Sequence, residues 1–170
     1  MTMRWSSMFL IAAVALSGEI EAGQLDADRN GFNGYQLETP VTRYSALTPL
    51  QRYSTEFVNE VVIYEDPEEV LLLDAVPLKK VWYRFADGLL ESVQLTYEGR
   101  ENRDRLLNWI EARYGKLPHN ERRIVAQVTW QGETMMIMLN YNRTQNEGTL
   151  WFISPSLHRE INRTTGSITD

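Results

Sequence analysis

The most constraining feature of the chain is a change of period inside one continuous stretch, residues 81–115 (VWYRFADGLLESVQLTYEGRENRDRLLNWIEARYG). Val81, Tyr83 and Phe85 alternate with Trp82 and Arg84, and beyond Asp87-Gly88 the residues Val93, Leu95 and Tyr97 alternate with Ser92, Gln94 and Thr96. A two-residue repeat sends successive side chains to opposite sides of a strand, so this spacing predicts a hairpin with one apolar face. The period then lengthens. Leu106, Leu107, Ile110 and Tyr114 recur at helical spacing opposite Arg103, Asp104, Asn108 and Glu111, and Gly115 stands where helices commonly end at positive φ. A strand pair with a single apolar face needs a cover, and a helix with one apolar stripe supplies it.

The same two-residue repeat returns downstream. Ile124, Ala126, Val128 and Trp130 share a side opposite Gln127 and Thr129; after Gln131-Gly132, Met135, Ile137, Leu139 and Tyr141 oppose Met136 and Met138. Residues 144–148 read as a turn, residues 150–153 (LWFI) as a closing strand and residues 156–161 as a last helical turn. Upstream, Thr39-Pro40 opens a short helix with Val41, Tyr44 and Leu47 on one side, and Thr48-Pro49 ends or renews it. Residues 57–64 (FVNEVVIY) and residues 70–76 read as strands, the run Leu71, Leu72, Leu73 pointing to burial on both faces. The order helix, three strands, helix, three strands predicts an α+β domain over residues 39–161. It has one antiparallel sheet, helices on a single face and two successive helix plus three-strand units, residues 39–98 and 99–161.

Residues 1–22 carry Arg4, then the apolar run 8–16 (MFLIAAVAL), then a polar end with small residues, which is the layout of a secretory signal peptide. The apolar run is too short to span a bilayer, and cleavage after Ala22 fits best, with Ser17 as the second choice. Nothing later in the sequence is long and apolar enough to be an integral span, so the mature protein is expected in the periplasm or secreted. Residues 23–38 are polar and Gly-rich and read as a flexible arm, and residues 162–170 as a flexible tail. Within the arm, Asp26, Asp28 and Asn30 before Gly31 imitate a calcium loop. The glutamate that should follow the glycine is Leu37, so a plain polar turn is the better reading.

Composition narrows the chemistry. With Lys+Arg 17 against Asp+Glu 23, a charge of −6 and no cluster of basic residues, nucleic acid is not the expected partner. No cysteine is present to form disulfides, attack as a thiolate or hold zinc. His119 and His158 have no carboxylate or second histidine at ligand spacing and read as surface residues, and no nucleophile elbow or phosphate loop occurs. Met135, Met136 and Met138 read as strand packing in preference to a copper site. No catalytic residue, metal or cofactor is assigned. The acids Glu65, Asp66, Glu68 and Glu69 around Pro67 read as a solvated turn. The remaining candidates are Trp82 and Arg84 on the polar side of the hairpin and Trp109 beside the helix's apolar stripe, since exposed aromatic and arginine side chains are the usual anchors of interfaces.

At Gly31-Phe32-Asn33-Gly34-Tyr35, followed by Glu38-Thr39-Pro40, the chain resembles a group of uncharacterised exported bacterial proteins that open with Gly-Phe-x-Gly, an aromatic, a small residue and Thr-Pro. Residues 83–89 (YRFADGL), residues 114–118 (YGKLP), Trp130 and the final LWFIS resemble that group's later landmarks, while Leu37-Glu38 stands where Trp-Gly is common. The plan of elements is similar to outer-membrane assembly lipoprotein and β-lactamase-inhibitor-like modules, a likeness of architecture that transfers no residues. The export signal and the absence of a credible catalytic set lead to the expectation of an exported, non-catalytic binding or accessory protein of the bacterial cell envelope, with an envelope protein as a possible partner. The alternative is a small periplasmic hydrolase or ligand-binding enzyme with a carboxylate site drawn from Glu65, Asp66, Glu98 or Glu101.

Overall fold

The structure, a computed structural model, describes residues 30–117 and 126–162. The signal peptide, most of the calcium-like run, the loop with His119, the strand start at Ile124 and the tail after residue 162 lie outside the described residues. In chain order the elements are β1 (Gly31–Phe32), β2 (Tyr35–Gln36), a 3-10 turn (Val41–Arg43), β3 (Thr48–Tyr53), β4 (Val61–Glu65), β5 (Leu72–Leu73), β6 (Val76–Ala86) and β7 (Leu89–Glu98). They continue with α1 (Arg100–Tyr114), β8 (Gln127–Gln131), β9 (Met136–Asn142), β10 (Glu147–Ile153) and α2 (Pro155–Ile161).

β6 and β7 form the predicted hairpin, and Asp87 and Gly88 turn it with positive φ at both central positions (44° and 81°). That geometry matches the twist of the flanking strands. The main sheet runs β3-β4-β6-β7-β10-β9-β8, every pairing antiparallel, with β5 bonded to β6 off this path. An α+β domain on an antiparallel sheet is therefore what the chain forms.

Val81, Tyr83, Phe85, Val93, Leu95 and Tyr97 face α1, whose Leu106, Leu107, Ile110 and Tyr114 are buried against them together with Ile137, Leu139, Leu150 and Phe152. Each such side chain contributes about 1.5–3 kcal/mol through burial. Gly115 has φ 93° and its N–H donates to the Glu111 carbonyl, closing the helix as the sequence predicts.

Three expectations are corrected. The helices do not share one face: Ile161 of α2 packs on Val58, Val61 and Ala86, a cluster separate from the α1 core. Ala86 lies on the side of β6 opposite Phe85, so α2 covers the back of the sheet. In the sheet the strands of residues 39–98 (β3, β4, β6, β7) lie together and those of residues 99–161 (β10, β9, β8) lie together, with β7 beside β10 and β8 at the edge. The first helix is a three-residue 3-10 turn, and Thr48-Pro49 starts a strand. Lastly, the run at 71–73 is not buried throughout: Leu71 and Leu72 are 43% and 51% exposed and only Leu73 is buried, since Asp74 takes positive φ and β5 folds straight back on β6.

Residues 30–38, expected to be part of a flexible arm, are docked. β1 and β2 form a small hairpin whose Phe32, Tyr35 and Leu37 enter the α1-side core, Phe32 stacking on Phe152 with ring centres 5.6 Å apart. Burial of these three side chains overcomes the polar composition around them.

Candidate binding surface

α1 and the β1–β2 hairpin occupy one face of the sheet, and α2 only a corner of the other. What that second face presents follows from register. Trp82, Gln94, Trp151, Met138 and Thr129 are successive cross-strand partners on β6, β7, β10, β9 and β8, and all five are half-buried. The row beside it holds Lys80, Thr96, Thr149, Asn140 and Gln127. Neither row contains a carboxylate, although the chain as a whole is acidic.

The two tryptophans are separated by one strand, hence by about 10 Å. Their orientations are held by neighbours: the Lys80 ammonium sits 3.8 Å from the centre of the Trp82 ring, and the Trp151 Nε1–H donates to Thr149 Oγ1 at 2.9 Å. Asn140 Nδ2 donates to the same hydroxyl oxygen at 3.3 Å. The surface is aromatic along its middle and flanked by amides and hydroxyls.

Arg84 stands at the border of this face, and its role differs from a free contact residue. The register slips between Arg84↔Ser92 and Phe85↔Leu90, which makes Glu91 the extra residue of a β-bulge and turns its side chain toward Arg84. Glu91 is fully buried. Arg84 Nε and Nη2 donate to its two oxygens at 2.6 and 2.8 Å, and His158 Nδ1 of α2 lies 2.7 Å from Oε1. Burial pushes the Glu91 carboxyl up, but hydrogen bonds from His158 and Arg84 and the Arg84 charge outweigh it and hold the group below its ordinary value of 4.5.

The bulge also fastens backbone. Ser154 N–H donates to the Glu91 carbonyl at 2.8 Å and Glu38 N–H to that of Leu90 at 2.8 Å. Ser154 Oγ caps α2 by accepting from Leu157 N–H and donates to Glu38 Oε1 at 2.7 Å; Ser156 Oγ also donates to Glu38. These two hydroxyls hold the Glu38 carboxyl below its ordinary value. His158, expected as a free surface residue, is thus part of a buried polar joint, which sequence distance hid. A signal did exist: Glu91-Ser92 places two polar residues in succession within an alternating strand, as a bulge does.

Trp109 does not join Trp82 and Arg84. It lies on α1, across the sheet, with the Arg113 guanidinium 4.2 Å from its ring centre. The acidic turn is likewise not simply solvated. Tyr35 donates to Asp66 Oδ2 at 2.8 Å, Tyr83 donates to Glu69, and Asn33 Nδ2 donates to Glu69 Oε1 at 2.7 Å. Burial raises both phenol pKa values, and the carboxylates facing them add to the rise. Of the four carboxylates considered for catalysis, Asp66 is held by Tyr35 and Glu101 by Arg105. Glu98 faces Glu147 across the ladder, and Glu65 ends β4. No hydrogen bond brings two of them onto one group. Among the described residues no helix is long and apolar enough to cross a membrane, and no group of three or more His, Asp or Glu gathers as metal ligands. Comparison of the chain with protein-family models, with curated proteins and with solved structures yields no match, so its function rests on this geometry.

Proposed function

We propose that the protein is an exported, non-catalytic binding or accessory protein of the bacterial cell envelope, with an envelope protein as partner, and that its contact surface is the second face of the sheet. The row Trp82–Gln94–Trp151–Met138 carries this reading: large side chains stand half-buried on a sheet face that no described element covers beyond α2. Aromatic and methionine side chains are enriched at the centres of protein interfaces and charged ones are depleted there, which is the composition of this row. Arg84 contributes by fixing α2 at the border of the surface, and Trp109 has no part in it. The carboxylate-enzyme alternative draws no support from the positions of Glu65, Asp66, Glu98 and Glu101.

A photoreactive phenylalanine analogue at Trp82, in a strain expressing the full chain, tests the reading. The expected result is one discrete adduct with an envelope protein. Excess purified wild-type protein should compete it away, and the Trp82→Ala/Trp151→Ala double variant should not. Labelling at Trp82 no stronger than at exposed Glu101 on α1 would overturn it.

A further inference from the structure

On the α1 side, a cleft of about 490 Å³ opens between the β1–β2 hairpin and the C-terminal half of α1. Its walls include Phe32, Tyr35, Trp109 and Tyr114, with Leu73 and Phe152 completing the apolar lining. Its volume is that of a small-molecule site, commonly about 300–1,000 Å³, and Asn30, Asn33 and Gln36 set polar groups beside the apolar side chains. Arg113 is the only charged residue among the described residues that line it.

The state of Arg113 defines the ligand. Its guanidinium lies over the Trp109 ring, and Nη1 donates to the Trp109 carbonyl at 3.3 Å, while no carboxylate of the described residues pairs with it. A guanidinium stacked by its face keeps in-plane N–H donors, and those match a carboxylate fork. A cleft with one cation among its described lining residues and aromatic side chains beside it is complementary to a molecule with one anionic head and an apolar body.

We propose that this cleft binds one apolar monocarboxylate, its carboxylate on Arg113 and its acyl or aryl body against Trp109, Tyr114 and Phe32. The site is on the opposite face from the protein-binding surface, so the two proposals stand or fall separately. Titration calorimetry of the full mature protein with decanoate, below micelle formation, tests it, with decan-1-ol as the neutral control. One saturating site is expected. Arg113→Gln should weaken decanoate roughly tenfold, the loss expected for one hydrogen bond to a charged group, and leave decanol unchanged. Trp109→Phe should weaken both ligands, and Trp82→Ala neither. Melting curves of the free variants check that each is folded. Absence of saturable decanoate binding to the wild type, or equal decanoate affinity in wild type and Arg113→Gln, would overturn the proposal.

Discussion

Glu91 is buried to 0% exposure with a charge on it, so the free energy of its surroundings depends on both partners being present. Removing one partner of a buried pair leaves an uncompensated charge and costs about 3–5 kcal/mol, whereas replacing both by apolar groups is often near neutral. Arg84→Met should therefore be strongly destabilising, and Arg84→Met/Glu91→Met should recover most of the loss; urea unfolding of the single and double variants measures the coupling. The pH dependence has a defined sign. The folded pKa of Glu91 lies below its unfolded value of 4.5, so the stabilisation is complete above 4.5 and is lost as pH falls through the folded pKa. Urea midpoints measured from neutral pH down to about pH 3 should fall on acidification, and less steeply in the double variant; Glu38 supplies part of the remaining slope because its pKa is also lowered. Gly148 makes a steric prediction. A Cβ there would stand 2.2 Å from Tyr97 Cζ and 2.5 Å from the Asn140 carbonyl oxygen, which also accepts from Tyr97 Oη at 2.6 Å. Gly148→Ala should cost about 1–3 kcal/mol by overpacking, read from the urea midpoint.

Elements differ in how openly the chain writes them. β6, β7, β9 and α1 are long, and each carries many turns of one period, so alternation and helical spacing predict their faces: Tyr83 and Tyr97 are fully buried where the pattern puts them. α2 is seven residues long with only Pro155 and Ile161 buried, too few to define an apolar stripe. Its place on the back of the sheet is set by Glu91 and Glu38, residues 67 and 116 positions away from the side chains they hold, and spacing along the chain has no access to that. The same reason separates Trp109 from Trp82. Both read as aromatic contacts, and only the sheet between them assigns them to different faces. For α2 the consequence is testable. Ser154→Ala removes the cap and one partner of Glu38, and should cost about 1–2 kcal/mol while increasing amide exchange at Leu157 and His158 before it reaches the β6–β7 core.

At the scale of the molecule, strand order decides what can fold alone. Residues 39–98 and 99–161 each supply a contiguous set of strands to a single sheet, β3-β4-β6-β7 and β10-β9-β8. The two sets meet at the centre, where seven residues of β10 pair with seven of β7 from Glu147↔Glu98 to Ile153↔Ser92. α1 belongs by sequence to the second half, yet Leu106 and Ile110 share a core with Val81, Tyr83 and Phe85 of the first. Cutting between residues 98 and 99 exposes the unpaired edges of β7 and β10 and uncovers the apolar face of β6–β7, a combination that favours aggregation over independent folding. The fragments 23–98 and 99–170 should therefore each lack a cooperative thermal transition when expressed singly. Co-expressed, they should associate through the β7–β10 ladder and regain one. Circular dichroism melts of the separate and mixed fragments distinguish the cases, and a sharp transition in either fragment alone would show that the halves are self-sufficient units after all.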